Sequence, residues 1–242
     1  MSVDLPTPAV ALAIAAHPDD VEFHCGATLA RWSRQGTVVH HLICTDGSKG
    51  TWDPDADLGA LVARRQAEQR AAAAALGATG EVVFLGAVDG ELTADRATLE
   101  RVVLEIRRLR PEVVLAHDPW KRYRLHPDHR TAGQLSLDAV VAARDPHFFR
   151  HQPHPHHRPR AVLLFEAQDP DHLEVATEAD LAARVAALEA HESQIETTHL
   201  YGLDGGDDPL TAFREDQRAT LAAAAAPFGA ELGEAFHLID DL

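Results

Sequence analysis

The feature that most restricts this chain is an apolar run, Ala9-Val10-Ala11-Leu12-Ala13-Ile14-Ala15-Ala16, that stops against His17-Pro18-Asp19-Asp20. A short, continuous apolar run with polar residues directly after it reads as a strand buried on both faces. Such a strand has no structural need of an imidazole and two adjacent carboxylates at its end. The run therefore asks for a sheet covered on both sides, and it marks where chemistry is to be sought.

The rest of the chain supplies that sheet. Cys25 to Gln35 is spaced as a helix, with Leu29 and Trp32 on one face and Gly36 as its stop. Thr37 to Cys44 is a second strand, rich in β-branched residues. Strand, short helix and strand make a βαβ unit, which implies parallel pairing and a right-handed crossover. A glycine-rich loop, Thr45 to Pro54, leaves the same edge as the first motif, and a helix from Gly59 to Leu76 ends at Gly77. Strands Glu81–Leu85 and Val113–Ala116 flank a helix over Asp95–Leu109, and helical pattern resumes after His129 to about Ala143. Pro146 to Pro159 reads as an irregular exposed loop whose histidines, 147 to 157, capture metal adventitiously. Strand Ala161–Phe165, helix Asp180–His191, a turn-rich stretch 201–209, helix Thr211–Ala226 and a terminal strand Phe236–Ile239 complete the pattern. The expected architecture is a three-layer α/β sandwich with a mostly parallel sheet, residues 1–242 forming one domain.

Composition narrows the partners. With 45% hydrophobic and 25% charged residues the chain is globular, and no apolar run approaches the roughly 20 residues of a membrane span. Met1-Ser2-Val3-Asp4 lacks the basic start and apolar core of a signal peptide, and two cysteines make no disulfide framework, so a cytoplasmic home is expected. Cys25 and Cys44 read as small core residues. A formal net charge of −16 disfavours nucleic acid and anionic membranes. The expected partner is a small molecule, with room left for a homo-oligomer.

A second cluster, His126-Pro127-Asp128-His129, repeats the residue types of the first and also follows a strand. In parallel α/β sheets ligands bind at the carboxyl ends of the strands, so both clusters belong on one rim. His17, Asp20 and His129 have the composition of a catalytic zinc site, three N/O ligands with positions left for water and substrate. Iron, cobalt or nickel suits the same donors. Asp19 is then free to act as base toward a metal-bound water, since the metal lowers that water's pKa. Asp128 could orient His126 by accepting its ring N–H. Read without function, His17-Pro18-Asp19-Asp20 is a turn with Asp20 as helix N-cap. Arg65 is a substrate contact or a surface partner of Glu68; Asp89 is a hydroxyl contact or a turn aspartate. His191 lines the pocket or caps a helix, and Glu22 is an acid standing behind the metal ligands or a carboxylate favoured by the helix dipole.

The paired motifs resemble those of the PIG-L/LmbE family of zinc-dependent N-deacetylases. Cys25-Gly26-Ala27-Thr28-Leu29-Ala30, Thr45-Asp46-Gly47, Arg65-Gln66-Ala67-Glu68 and Ala190-His191-Glu192-Ser193-Gln194 fit as well, so the likeness spans roughly Ala9 to Gln194. It implies a Rossmann-like fold and hydrolysis of an N-acetyl group from an N-acetylglucosamine-type sugar or its conjugate. An amidase cleaving a larger N-acyl group from a thiol-sugar or other glycoconjugate is the alternative. By motif position, zinc is held by His17, Asp20 and His129, Asp19 is the base, and His126 stabilises the oxyanion or protonates the amine, supported by Asp128. Arg124 stands where some members carry a tyrosine; with Arg65, Asp89 and His191 it completes the expected substrate contacts.

Three rivals fit less well. A receiver-type domain leaves His17 and the second cluster unexplained. A dinucleotide-binding module lacks its Gly-x-Gly-x-x-Gly after the first strand, and a metallo-β-lactamase-like hydrolase lacks the His-x-His before Asp128.

Overall fold

Alternation along one strand decides the layering. Leu12, Ile14 and Ala16 pack into one hydrophobic core, and Ala11, Ala13 and Ala15 into another on the opposite face. The same division recurs at Val114 and Ala116 against Val113 and Leu115, and at Val162 and Leu164 against Ala161, Leu163 and Phe165. Both faces are therefore apolar, and helices must cover both.

The computed structural model describes residues 1–200, 202 and 208–242. Its strands are β1 (Ser2–Val3), β2 (Val10–Ala15), β3 (Val38–Thr45), β4 (Val82–Ala87), β5 (Val113–His117), β6 (Ala161–Phe165), β7 (His172–Val175) and β8 (Gly233–Ile239). Its helices are α1 (Asp20–Arg34), α2 (Leu58–Ala75), α3 (Arg96–Leu109), α4 (Pro127–Arg144), α5 (Glu178–Glu189) and α6 (Pro209–Ala225). The eight strands form one sheet in the order β1-β7-β8-β6-β5-β2-β3-β4. β2 to β6 pair in parallel, whereas β8 runs antiparallel to both β6 and β7. Apolar residues of α3 and α4 fill the first core, and those of α1, α2 and α5 the second. The mostly parallel α/β/α sandwich expected from the sequence is the architecture found.

The departures have local causes. α1 begins at Asp20 instead of Cys25, and its backbone breaks at Cys25 (φ −146°, ψ 16°), so the apolar spacing after the break does not continue the turn before it. β7 has no apolar run: His172 Nε2 meets Glu174 Oε1 at 2.8 Å, and Arg31 pairs with the same carboxylate, so polar side chains are buried as partners. Residues 201 and 203–207 of the turn-rich stretch lie outside the described residues. Both cysteines are free and buried. Among the described residues, no helix is long and apolar enough to cross a membrane.

The histidine-rich segment is anchored from beneath. Arg107 of α3 is buried and donates to the carbonyls of Ala142, Ala143, Asp145, Phe148 and Phe149 and to Gln152 Oε1. The Ala143 and Phe149 carbonyls also accept the N–H groups of His157 and Gln152, so the dependence on the guanidinium falls on Ala142, Asp145 and Phe148. Arg107→Ala should cost about 2–4 kcal/mol, because buried carbonyls lose their donor. Urea unfolding of both proteins measures it; a loss below about 0.5 kcal/mol would show that the segment holds itself.

Candidate active site

Each of the five strands from β2 to β6 delivers a polar residue to the rim at its carboxyl end. His17 follows β2, Asp46 follows β3, Asp89 comes shortly after β4, His117 closes β5 and Glu166 follows β6. The parallel arrangement puts all five on one edge. His17, Asp89 and Glu166 line a cleft of about 510 Å³ together with Asp19, Arg65 and His126.

The loop from β2 to α1 is a closed turn. The His17 N–H donates to Asp20 Oδ2 at 2.8 Å, and the Phe23 N–H donates to the Asp19 carbonyl at 3.1 Å. Asp19, not Asp20, is the N-cap; its side chain makes no capping bond, and its backbone is left-handed (φ 101°, ψ −26°). Its carboxylate instead faces Arg65, with Nη2 3.3 Å from Asp19 Oδ2. Arg65 also donates to the carbonyls of Pro18 (2.6 Å) and Gly47 (3.0 Å). Glycine at 47 is what admits it, for a Cβ there would stand 2.7 Å from Arg65 Nη1.

The second cluster arrives on the first turn of α4. Pro127 takes an early helical position, where a missing N–H costs nothing, and His126 is the N-cap. His126 Nδ1 accepts the Asp128 N–H at 3.3 Å, which leaves the proton of the neutral ring on Nε2. Gly133 brings α4 close to β5: a Cβ there would stand 2.5 Å from the His117 carbonyl.

The two clusters meet. His17 Nδ1 lies 3.2 Å from His129 Nε2 and 3.4 Å from Asp20 Oδ2, and His129 Nε2 lies 3.4 Å from Asp20 Oδ1. Tetrahedral bonds of about 2.05 Å put neighbouring ligand atoms roughly 3.3 Å apart, so the two histidine nitrogens stand at the spacing of zinc ligands, and each has a different Asp20 oxygen at nearly that distance. The far nitrogen of His17, Nε2, faces Asp128 Oδ2 and Asp89 Oδ1, each at 3.2 Å. That is how a ligating histidine is held, with one ring N–H on a carboxylate and the other nitrogen toward the ion.

The family model described as "PIG-L: GlcNAc-PI de-N-acetylase" matches residues 12–140, which contain both clusters. The chain belongs to the PIG-L family. It is 34% identical to a diacetylchitobiose deacetylase of Thermococcus kodakarensis, over 76% of this chain and 69% of that protein. It is 33% identical to a 1D-myo-inositol 2-acetamido-2-deoxy-alpha-D-glucopyranoside deacetylase of Thermobispora bispora, over 76% and 78%. Among solved structures, the N,N'-diacetylchitobiose deacetylase from Pyrococcus horikoshii, complexed with its inhibitor MPG, superposes with a TM-score of 0.84 at 26% identity. That superposition covers 96% of this chain and 84% of the other. As a deacetylase this PIG-L chain is a hydrolase of amides.

Burial and charge set the protonation of this PIG-L site. Burial alone would depress the His17 imidazole, but Asp128, Asp20 and Asp89 outweigh it and hold it well above its ordinary value. For Asp19 burial dominates and pushes the carboxyl up to about 6, with Arg65 opposing. Asp20 moves the other way: burial is overcome by His129, His117 and His17, and it stays well below the usual carboxylate range. Burial drives His129 down to about 2 and lowers His117 and His126 as well, which favours neutral rings. The Asp128 N–H takes the lone pair of His126 Nδ1, and the Ala16 N–H meets His117 Nε2 at 3.3 Å.

Some residues take other places than the sequence suggested. Asp128 does not accept a ring proton from His126; its oxygens face His17 Nε2 and accept the N–H groups of Gly90 (2.6 Å) and Leu92 (3.2 Å). The α4 turn carries the Asp128 carboxylate under the rim, toward β4's loop. His191 does not reach the cleft: it is fully buried, with Nε2 3.3 Å from Glu22 Oε2. Arg65 is buried, and Glu68 pairs instead with Arg64 and Ser193. Asp89 and Arg124 do line the cleft, Arg124 paired with Glu166.

Two rim residues escaped the sequence reading. His117 Nε2 lies 3.3 Å from Asp20 Oδ2, and its Nδ1 lies 3.3 Å from Glu166 Oε2, with His24 Nε2 3.4 Å from that oxygen. Their signal was available, since each is the first polar residue at the end of a buried strand, as His17 is. His24, His117 and Glu166 also have metal-ligand spacing. Glu166 is, however, already met by Arg124 and by Lys121 at 3.4 Å, so its charge is compensated without an ion.

Proposed function

We propose that this chain is a zinc-dependent deacetylase that frees the amine of an N-acetylglucosamine-type sugar or its conjugate, with residues 1–242 acting as one catalytic domain in the cytoplasm. The observation that carries the reading is the approach of His17 Nδ1 and His129 Nε2 to 3.2 Å, with one Asp20 oxygen 3.4 Å from each nitrogen and the Asp19 carboxylate turned to Arg65. The substrates for which the two relatives are named, diacetylchitobiose and an acetamido-glucopyranoside, both present an acetamido sugar.

In this proposal His17, Asp20 and His129 hold the ion. Zinc supplies Lewis-acid polarisation of the amide carbonyl and acidifies water. Asp19 takes the proton from the attacking water, and Arg65 keeps its carboxylate aimed into the cleft. His126, with its proton on Nε2, donates toward the developing oxyanion or the leaving nitrogen. Asp128 and Asp89 hold His17 in its ligating orientation. Asp89 and Arg124 on the cleft wall contact the sugar.

Treatment with a chelator should abolish amine release from an N-acetyl sugar, and added zinc should restore it. A panel of N-acetyl sugars and larger N-acyl conjugates assigns the acyl group; activity on larger acyl groups alone would overturn the acetyl assignment. Activity that survives full removal of metal would overturn the zinc reading.

A further inference from the structure

We propose that Gln69 is a positioning residue for Asp19, acting through the Asp19 backbone; this rests on the reading that Asp19 handles the proton. Asp19 is a non-glycine residue at φ 101°, in a region that side-chain-bearing residues rarely adopt. It caps α1 without the side-chain bond that stabilises most N-caps. A strained residue of this kind persists where its surroundings over-determine it.

Gln69 supplies the bond that the turn itself does not. Its Oε1 accepts the Asp19 N–H at 3.0 Å, and the side chain is fully buried. It lies one helical turn after Arg65 on α2, so both project to the same side. Arg65 holds the Pro18 carbonyl and the Asp19 carboxylate, and Gln69 holds the N–H between them. The peptide before Asp19 and the carboxylate are thus gripped from one helix face.

The orientation of the Gln69 amide is itself set. Its Nε2 donates to Glu22 Oε1 at 2.7 Å, and a carboxylate can only accept. The amide oxygen must therefore point at Asp19. Glu22 is fully buried, and its other oxygen faces His191 Nε2 at 3.3 Å, which balances the buried charge. A relay runs from His191 through Glu22 and Gln69 to the Asp19 peptide, and His191 and Gln69 do not line the cleft. This gives His191, which stands at the N-cap of the turn Glu192–Gln194 and not in the cleft, a place behind the site: it compensates Glu22, which orients Gln69. An amide is the group at position 69 that both accepts from a peptide N–H and donates to a carboxylate without adding charge.

The test is a double-mutant cycle on the zinc-loaded protein, with amine release from the N-acetyl sugar that wild type turns over fastest. Gln69→Met keeps the side-chain volume but neither donates to oxygen nor offers a strong acceptor. It should lower kcat by about 10- to 100-fold, the range for outer partners of a metal site, with KM nearly unchanged and one zinc per chain retained. In an Asp19→Ala background the same substitution should change kcat by less than about twofold, since the group it positions is gone. Should Met at 69 prevent folding, Gln69→Asn shortens the reach and is expected to show the same dependence on background. Wild-type turnover in Gln69→Met, an equal loss in both backgrounds, or loss of zinc would each overturn the proposal. Wild-type activity in Asp19→Ala alone would instead sink the role given to Asp19, so the two failures are distinguishable.

Discussion

Asp19→Ala should retain one metal ion per chain and lose about 10²- to 10⁴-fold in turnover, the range a positioned general base contributes. The geometry separates the two adjacent acids. Asp20 faces His17, His117 and His129 at 3.3–3.4 Å, whereas Asp19 faces Arg65 at 3.3 Å. Removing Asp19 therefore leaves the donors of His17, Asp20 and His129 in place. The protonation states agree with this split. Asp20 is held well below the usual carboxylate range, as suits a ligand that must stay ionised, and Asp19 is raised to about 6, as suits a group that exchanges protons near neutrality. The sign of the pH effect follows: a base works only when ionised, so turnover should fall as pH drops through the Asp19 pKa. A cation beside it favours the carboxylate, which places that limb at or below about 6 in the zinc-loaded enzyme. Asp19→Asn should remove the limb along with the activity. Elemental analysis and a pH–rate profile check both halves, and normal turnover in either variant would remove Asp19 as the base.

His129→Ala should abolish stoichiometric metal binding. Its Nε2 is the corner common to the two short contacts with His17 and Asp20, and burial keeps the ring neutral, with its pKa down at about 2. The remaining pair offers two donors, too few for a structural or catalytic zinc site. The loss in affinity should exceed the roughly 10- to 100-fold that follows loss of an outer partner. His126→Ala is the informative control, because His126 also lies within ligand spacing of His17 and His129. Its Nδ1 is occupied by the Asp128 N–H, and the ring is exposed. That variant should keep its metal and lose turnover, whereas Asp20→Ala should lose the metal. Unchanged metal content in His129→Ala would sink the three-donor site, and loss of metal in His126→Ala would move the site by one residue.

Both predictions rest on how five parallel strands end. The sequence alone was enough to place His17 to Asp20 and His126 to His129 on one rim, because strand ends are legible from apolar runs and the parallel order follows from strand–helix alternation. Local pattern also determined the layers: Leu12, Ile14 and Ala16 alternate with Ala11, Ala13 and Ala15 whatever the neighbours are. What local pattern cannot carry is the partner of a buried polar group. Gln69 and His191 sit in helical or capping positions that could equally face solvent, and Asp128 could have turned toward His126. Only packing decided that Gln69 meets the Asp19 peptide, that His191 meets Glu22 and that Asp128 meets His17. The physical reason is one of range. Hydrophobic periodicity acts between residues a few positions apart, whereas a desolvated donor or acceptor must find its partner wherever the fold brings one, here 50, 169 and 111 positions away.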